Sequence, residues 1–247
     1  MLKRLKKEVL EANLDLVRYD LVTLTWGNVS GISRDDGLVV IKPSGVEYKK
    51  LRVQDMIVVD LNGKVVDGTG RPSSDTPTHL ELYKGFPSIG GIAHTHSEYA
   101  TTFAQACREI KCFGTTHADA FFGPVPVTRF LTKEEVEEAY ELNTGKMIVE
   151  HFRTMDYEAV PAVLIAGHAP FTWGKDARDA VKNSLILERV ASMAMRSNVI
   201  NPDITPLPEY VLLKHHLRKH GPGAYYGQRA GGESKTRRAQ HRTRKKS

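Results

Sequence analysis

The chain has 247 residues, of which 40% are hydrophobic and 26% are charged, as in ordinary folded proteins. No apolar run approaches the ~18 residues that a membrane helix needs, and the N-terminus lacks the apolar block of a signal peptide. Two cysteines, Cys107 and Cys112, are too few for a disulfide scaffold and do not form a CxxC pair. We therefore expect reduced thiols and a cytoplasmic protein.

The net charge of +6 is concentrated at the C-terminus. Residues 229–247 hold eight Lys or Arg and one Glu, so the rest of the chain has a net charge of −1. A nucleic-acid-binding domain would spread its basic residues over a folded face, and this tail has no aromatic residue that could stack on bases. We expect one folded domain over residues 1–228, a basic disordered tail over residues 229–247, and no nucleic-acid partner.

Apolar spacing along the chain predicts both helices and strands. Helices are predicted over residues 2–17, 77–84, 98–107, 132–152, 176–198 and 209–219. Strands are predicted over residues 21–29, 38–42, 56–61, 64–67, 89–96 and 161–166. Because helices and strands do not alternate strictly and the early strands form hairpins, we predict a single α/β domain. Its sheet would be mixed or antiparallel, with helices flanking it.

The first chemical signal is a pair of histidines in residues 90–96, which read GGIAHTH. Residues i and i+2 of a strand point the same way, so His94 and His96 would project from one face. His168 follows another predicted strand and supplies a third imidazole. An isolated HxH is often a surface or core pair, but three imidazoles with an open fourth position are typical of a catalytic metal site. The other histidines of the predicted helices are interpreted as solvated; these are His79, His151, His216 and His220.

Three segments place hydroxyl groups beside flexible backbone. They are residues 25–30 (TWGNVS), 42–45 (KPSG) and 72–75 (PSSD). Hydroxyl and backbone N–H donors suit a phosphate, and Lys42 would add a positive charge. Each segment alone is typical of a plain turn, but beside a metal site they indicate a phosphorylated small substrate. Asp75 has two interpretations: a cap for the following helix, or a group facing the metal as a ligand or as a partner that orients an imidazole.

These motifs occur together and in order. The stretches LTWGNVS, IKPSGV, PSSDTPTH, GGIAHTHS, FGTTHAD, GHAPFTWG and LRKHGPGAYYGQ resemble the class II aldolase/epimerase family over residues 1–228, and most closely its epimerases. The resemblance implies an α/β fold in three layers around a central, largely antiparallel sheet. It also implies a four-fold homotetramer with active sites between neighbouring subunits. The basic tail departs from the family pattern, which would end at Gln228.

The resemblance further implies a reaction, the interconversion of L-ribulose 5-phosphate and D-xylulose 5-phosphate. Inversion at C4 would proceed by retro-aldol cleavage of C3–C4, rotation of the aldehyde and re-addition, with a metal ion as Lewis acid. The implied metal ligands, for zinc with manganese or cobalt as substitutes, are Asp75, His94, His96 and His168. The implied substrate-binding residues are Gly27, Asn28, Lys42, Ser44, Gly45, Ser73, Ser74, Thr116, His215 and Arg218. The implied acid and base groups are Asp119 and, from the adjacent subunit, Tyr226.

Several alternatives stay open at this point. An aldolase of the same superfamily, cleaving L-fuculose 1-phosphate or a similar sugar, would share the three histidines. Such aldolases carry Glu where this chain has Asp75, which favours the epimerase. Arabinose catabolism and ascorbate-type catabolism use near-identical epimerases, and the sequence does not separate them. A metal-site protein whose basic tail recruits RNA is the alternative from another class, and the full catalytic set argues against it.

Overall fold

The computed structural model describes residues 2–225, so Tyr226 and the predicted tail lie outside the described residues. The strands in this part of the chain are β1 (Asn28–Ser33), β2 (Leu38–Ile41), β3 (Ile57–Asp60), β4 (Val65–Asp67), β5 (Gly91–His94), β6 (Ala162–Leu164) and β7 (Pro170–Gly174). The helices are α1 (Leu2–Arg18), α2 (Thr76–Gly85), α3 (Glu98–Gln105), α4 (Thr115–Ala118), α5 (Lys133–His151), α6 (Ala177–Ile200) and α7 (Glu209–His220). The strands form one sheet in the order β4-β3-β2-β1-β5-β7-β6, and neighbours pair antiparallel.

The two faces of this sheet bury two separate cores, as strand alternation requires. Along β2, Val39 and Ile41 belong to one core and Val40 to the other. On the Val40 side, α1 and the first half of α6 pack against the sheet. On the opposite side, α2 and α5 pack together and contribute buried residues such as Tyr83 and Ile148. The result is the α/β arrangement with three layers that the sequence predicts.

The register of three adjacent strands brings polar and aromatic side chains to one end of the sheet. Asn28 of β1 pairs with His94 of β5, and His94 pairs with Phe171 of β7. Directly paired residues of antiparallel strands project from the same face. The Phe171 ring accordingly stacks on His94, with ring centroids 4.2 Å apart and an interplanar angle of 18°. This end of the sheet carries the candidate site.

The first predicted strand is wrong in position. Residues 21–27 form a loop, and β1 starts only at Asn28. Leu24 and Gly27 have φ angles of 55° and 75°, in the left-handed region that interrupts an extended run. A Cβ at Gly27 would lie 2.8 Å from the carbonyl oxygen of His94, so the loop approaches β5 more closely than any other residue type would allow.

Most other predicted elements are confirmed to within a few residues, and β7 is an additional strand. The capping box before α5 is present, since the Thr132 hydroxyl accepts from the Glu135 N–H at 3.2 Å. The predicted strand over residues 89–96 is shorter and ends at His94. None of the described helices combines the length and apolar character that crossing a membrane requires.

Candidate active site

Three histidine rings converge at the end of β5. The ring centroids of His94, His96 and His168 form a nearly equilateral triangle with sides of 4.9, 5.0 and 5.1 Å. One ring nitrogen from each residue lies within 4.8 Å of the other two. His94 ends β5, His96 lies in the loop after it, and His168 lies in the loop between β6 and β7. His96 is therefore not in a strand, although its ring reaches the predicted cluster.

The nitrogen geometry of this cluster fits a divalent metal ion. The Nε2 atoms of His94 and His96 are 3.2 Å apart, and two ligands on a tetrahedral ion with bonds of 2.0–2.1 Å would be separated by about 3.3 Å. His94 donates its Nδ1–H to the carbonyl oxygen of Pro170 at 3.0 Å, which leaves Nε2 available as a ligand. Burial lowers the pKa of all three imidazoles, that of His168 to about 4, so they are neutral as metal ligands must be.

Asp75 lies beside the histidines and does not cap the helix that follows it. Its side chain makes no capping hydrogen bond to α2, and its carboxylate instead accepts from the Asn28 amide at 2.6 Å. Burial alone would raise the pKa of Asp75, but the His94 and His79 rings and the Asn28 hydrogen bond lower it. Asp75 thus occupies the N-cap position of α2, but the interpretation that its side chain caps the helix is wrong. Asp75 lines the same cavity as the histidines but is not among the three close ligand groups.

The histidines open into a cavity of about 530 Å³ to which all three predicted phosphate segments contribute. The predicted residues that line it are Gly27, Asn28, Lys42, Ser44, Gly45, Ser73, Ser74, Asp75, His94, His96 and His168. Segments that are far apart in the sequence, from position 25 to position 168, thus line one cavity. The cavity combines a cluster of metal ligands with a second region of hydroxyl and amide donors, as a phosphorylated substrate that also chelates a metal would require.

Lys42 gives this cavity a buried positive charge. The residue is 2% exposed, and among residues 2–225 no carboxylate forms an ion pair with it. Its Nζ instead lies 3.3 Å from the carbonyl oxygen of Pro43 and 4.9 Å from the centre of the Tyr48 ring. Burial lowers the pKa of Lys42 to about 8. Because a buried charge without a counterion is costly, this ammonium favours the binding of an anion in the cavity.

Tyr140 and Glu141 also line the cavity, and sequence reasoning missed both. They follow a break in α5 at Ala139, where φ is −166° and ψ is 82°. The Tyr140 hydroxyl lies 3.4 Å from Nδ1 of His168. The amide of Asn143 donates to the carbonyl oxygen of Glu135 at 2.8 Å and so spans the break. Nothing in the sequence marks this break, because neither glycine nor proline stands beside Ala139.

His79 is a second correction, because it is fully buried rather than solvated. It lies one helical turn after Asp75, on the face of α2 that packs against β1. Its Nδ1 atom is 2.7 Å from the hydroxyl of Ser30, which is in turn 2.8 Å from the hydroxyl of Tyr83. Burial lowers the pKa of His79 to about 3, so this ring stays neutral.

The remaining predicted residues form a second group, around Asp119 at the end of α4. The Asp119 carboxylate accepts from Arg218 at 2.7 Å and from His215 at 3.1 Å, and Lys219 lies at 3.3 Å. Burial would raise the pKa of Asp119, but the hydrogen bonds from these three residues lower it, so the group is ionised near neutral pH. Asp119 and Thr116 line a different cavity of about 610 Å³, which shares no lining residue with the first.

Within one chain, the three histidines and the three hydroxyl-rich loops therefore line one cavity, and the Asp119 group lies at another. The structure does not bring Thr116, Asp119, His215 or Arg218 to the histidines of the same chain. Tyr226, the other predicted acid or base, falls outside the described residues.

Residues 7–195 match the family described as Class II Aldolase and Adducin N-terminal domain. The chain belongs to this family. It is 56% identical over 228 residues to L-ribulose-5-phosphate 4-epimerase UlaF of Salmonella paratyphi A, which covers 92% of this chain and 100% of that protein. The match to the same-named protein of Salmonella typhi has the same identity and coverage.

Solved structures of the class II aldolase family have the same fold. An L-fuculose 1-phosphate aldolase aligns with a TM-score of 0.73 and 27% identity, over 86% of this chain and 94% of that one. YgbL from Klebsiella pneumoniae aligns with a TM-score of 0.69 at 24% identity, over 87% and 99% of the two chains. The predicted α/β architecture and family are thus confirmed.

Proposed function

We propose that this class II aldolase family member is an L-ribulose-5-phosphate 4-epimerase, which interconverts L-ribulose 5-phosphate and D-xylulose 5-phosphate. The observation that carries the proposal is the shared cavity, in which three histidines adjoin Lys42 and the serine-rich loops. Full-length similarity to relatives that bear the epimerase name supports the same substrate.

The chemistry explains why an aldolase-like site would perform an epimerisation. The hydrogen on C4 of the ketose is not acidic, so simple deprotonation cannot invert that carbon. Cleavage of the C3–C4 bond yields glycolaldehyde phosphate, and rotation of this aldehyde before re-addition exposes its other face. A divalent ion held by His94, His96 and His168 would supply the Lewis acidity that stabilises the negative charge on the three-carbon half.

The chain's own residues would anchor the two ends of the substrate. The phosphate would be held by donors from the three loops that line the cavity, with Lys42 beside them; these are Gly27, Asn28, Ser44, Gly45, Ser73 and Ser74. Asp75 would orient the ligand set from its position beside Asn28. We propose zinc as the ion, with manganese or cobalt as substitutes, because imidazole nitrogen suits all three.

Two acid and base groups are required, one for each face of the rotated aldehyde. We assign them to Asp119 and Tyr226, supported by His215 and Arg218. The resemblance places Tyr226 on a neighbouring subunit of a homotetramer, and we infer that the Asp119 group also comes from a neighbouring subunit. The separation of the Asp119 group from the histidines of its own chain supports this arrangement. Sedimentation of the metal-loaded protein should find particles of four chains, and a fully active monomer would contradict the assignment.

We place the enzyme in the cytoplasm, in a pathway such as arabinose or ascorbate-type catabolism. The test of the function is an assay of the zinc-loaded protein with L-ribulose 5-phosphate that follows D-xylulose 5-phosphate and free dihydroxyacetone together. Mainly D-xylulose 5-phosphate is expected. Mainly dihydroxyacetone, or no reaction until another sugar phosphate is supplied, would indicate an aldolase instead.

The aldolase is the second candidate, because an L-fuculose 1-phosphate aldolase has the same fold. Replacing Asp75 by Glu tests the distinction. The longer side chain would bring a carboxylate nearer the ion, so we expect Asp75→Glu to raise the ratio of dihydroxyacetone to D-xylulose 5-phosphate in the same assay. The control is Asp55→Glu, which lengthens a partly exposed carboxylate outside both cavities. An unchanged product ratio in Asp75→Glu would remove this discriminator.

A further inference from the structure

Tyr48 lies beneath the two loops that line the phosphate end of the cavity. The residue is 5% exposed and does not itself line the cavity. Its hydroxyl lies 2.8 Å from the carbonyl oxygen of Trp26 and 2.8 Å from that of Gly27. The same side chain presents its ring to the ammonium of Lys42 at 4.9 Å. One buried side chain thus contacts both the 25–28 loop and the cation.

The hydroxyl bonds to a backbone segment that lies outside the helices and strands. Residues 21–27 belong to no helix or strand, and Gly27 has a φ of 75°. The hydroxyl has one proton, which two successive carbonyl groups share as acceptors. Burial raises the pKa of Tyr48, and nearby Asp75 raises it further, so the hydroxyl retains its proton and remains a donor.

The ring stabilises the cation that faces the cavity. The nearest acceptors for the Lys42 ammonium are carbonyl oxygens at 3.3 and 3.5 Å, both long for a charged hydrogen bond. An aromatic face within about 6 Å of an ammonium attracts it through the ring quadrupole, more strongly where water is excluded. The Tyr48 ring therefore holds the lysine head in place without neutralising its charge.

The held loop also connects the two ends of the cavity. Gly27 packs against the backbone of His94 so closely that a Cβ would lie 2.8 Å from the His94 carbonyl oxygen. Moving the carbonyl group of Gly27 would shift the phosphate-lining loop relative to the metal ligands, whose own hydrogen bonds do not involve Tyr48.

We propose that Tyr48 is a positioning residue for the substrate phosphate, acting through the backbone of Trp26 and Gly27 and through the ammonium of Lys42. The inference rests on the proposed function only in that the cavity accepts a phosphate group. Phosphate contacts are made equally in the ground state and the transition state, so their loss should appear in KM rather than in kcat.

The experiment titrates the zinc-loaded tetramer with inorganic phosphate by calorimetry and measures KM and kcat with L-ribulose 5-phosphate. Tyr48→Phe removes the hydroxyl and keeps the ring, and Tyr48→Leu removes both. The control is Tyr83→Phe, which deletes the hydroxyl of another buried tyrosine that bonds to Ser30 at 2.8 Å. Zinc affinity, measured by competition with a chelator, is the readout that a general loss of structure would alter.

Loss of one buried hydrogen bond should weaken phosphate binding about 5- to 10-fold in Tyr48→Phe and raise KM by the same factor, with kcat within about twofold. Tyr48→Leu should lose about a further 5-fold through the missing ring. Zinc affinity should be unchanged in Tyr48→Phe, and Tyr83→Phe should bind phosphate normally. Wild-type phosphate affinity in Tyr48→Phe would overturn the inference and leave the proposed function intact. An equal loss of phosphate affinity in Tyr83→Phe would do the same. Failure of the wild-type protein to bind phosphate would overturn both the inference and the proposed substrate.

Discussion

Replacing His96 by asparagine should remove bound zinc and nearly all epimerase activity. The three imidazoles form a close triangle, and His96 contributes an Nε2 atom 3.2 Å from that of His94. With two imidazoles remaining, we expect zinc affinity to fall by more than ~100-fold, because changes even to groups behind metal ligands cost 10- to 100-fold. Zinc content after dialysis and turnover of L-ribulose 5-phosphate measure the two effects.

The control for this variant is His151→Asn, which changes a histidine outside both cavities. It should retain zinc and activity, so that a loss common to both variants would point to misfolding. Full zinc occupancy in His96→Asn would remove this histidine from the metal site. Retained activity without zinc would contradict the proposed chemistry altogether.

Replacing Asp119 by asparagine should reduce turnover strongly while zinc and phosphate still bind. A proton-transfer group of this kind contributes roughly 10²- to 10⁴-fold in rate. In the described chain its carboxylate is ionised and bonded to Arg218 and His215, so it is in the form that can accept a proton, which an asparagine amide cannot do. The measurement is kcat with zinc content and phosphate affinity as controls. A normal kcat in Asp119→Asn would contradict the assignment of Asp119 as an acid or base group.

The same substitution should destabilise the docking of α7, and this effect should depend on pH. Asparagine leaves the cations of Arg218 and Lys219 without their shared carboxylate, at a cost of about 1–3 kcal/mol. The folded pKa of Asp119 is lowered, so its stabilisation is present at neutral pH and is lost as the pH falls through ~4, the value in the unfolded chain, towards the lower folded value. Urea unfolding of the wild type and Asp119→Asn should therefore converge in acid. Asp55→Asn, which breaks an exposed ion pair with Arg52, should show a much smaller difference at pH 7.

The metal cluster could be predicted because its signal is local and chemically specific. His94 and His96 are two residues apart, and His168 follows an apolar run, so their convergence required only that two strand ends meet. The phosphate loops could be recognised by their hydroxyl-rich composition, and the structure brings all three to one cavity. What the sequence alone did not specify was that β5 ends at His94 and that His96 reaches the cluster from a loop.

The misses have tertiary causes. Tyr140 lines the cavity directly after α5 breaks at Ala139, and neither glycine nor proline stands beside the break to predict it. His79 is buried because its face of α2 meets β1, which was predicted several residues too early. That error in turn arose from residues 21–27, whose apolar pattern suits a strand but whose backbone turns at Leu24 and Gly27. The local sequence is compatible with either a strand or a loop here, and contacts with the neighbouring strand decide between them.

Because Asn28, His94 and Phe171 are paired across β1, β5 and β7, the metal site depends on the correct register of these strands. A slip of one residue in an antiparallel pairing turns every side chain of that strand to the opposite face. In a slipped β5, His94 would point into the core beneath α1, and Ala93 would occupy its place beside Phe171. A misaligned sheet would then be unable to assemble the ligand triangle. Retention of a divalent metal ion would therefore report native strand pairing.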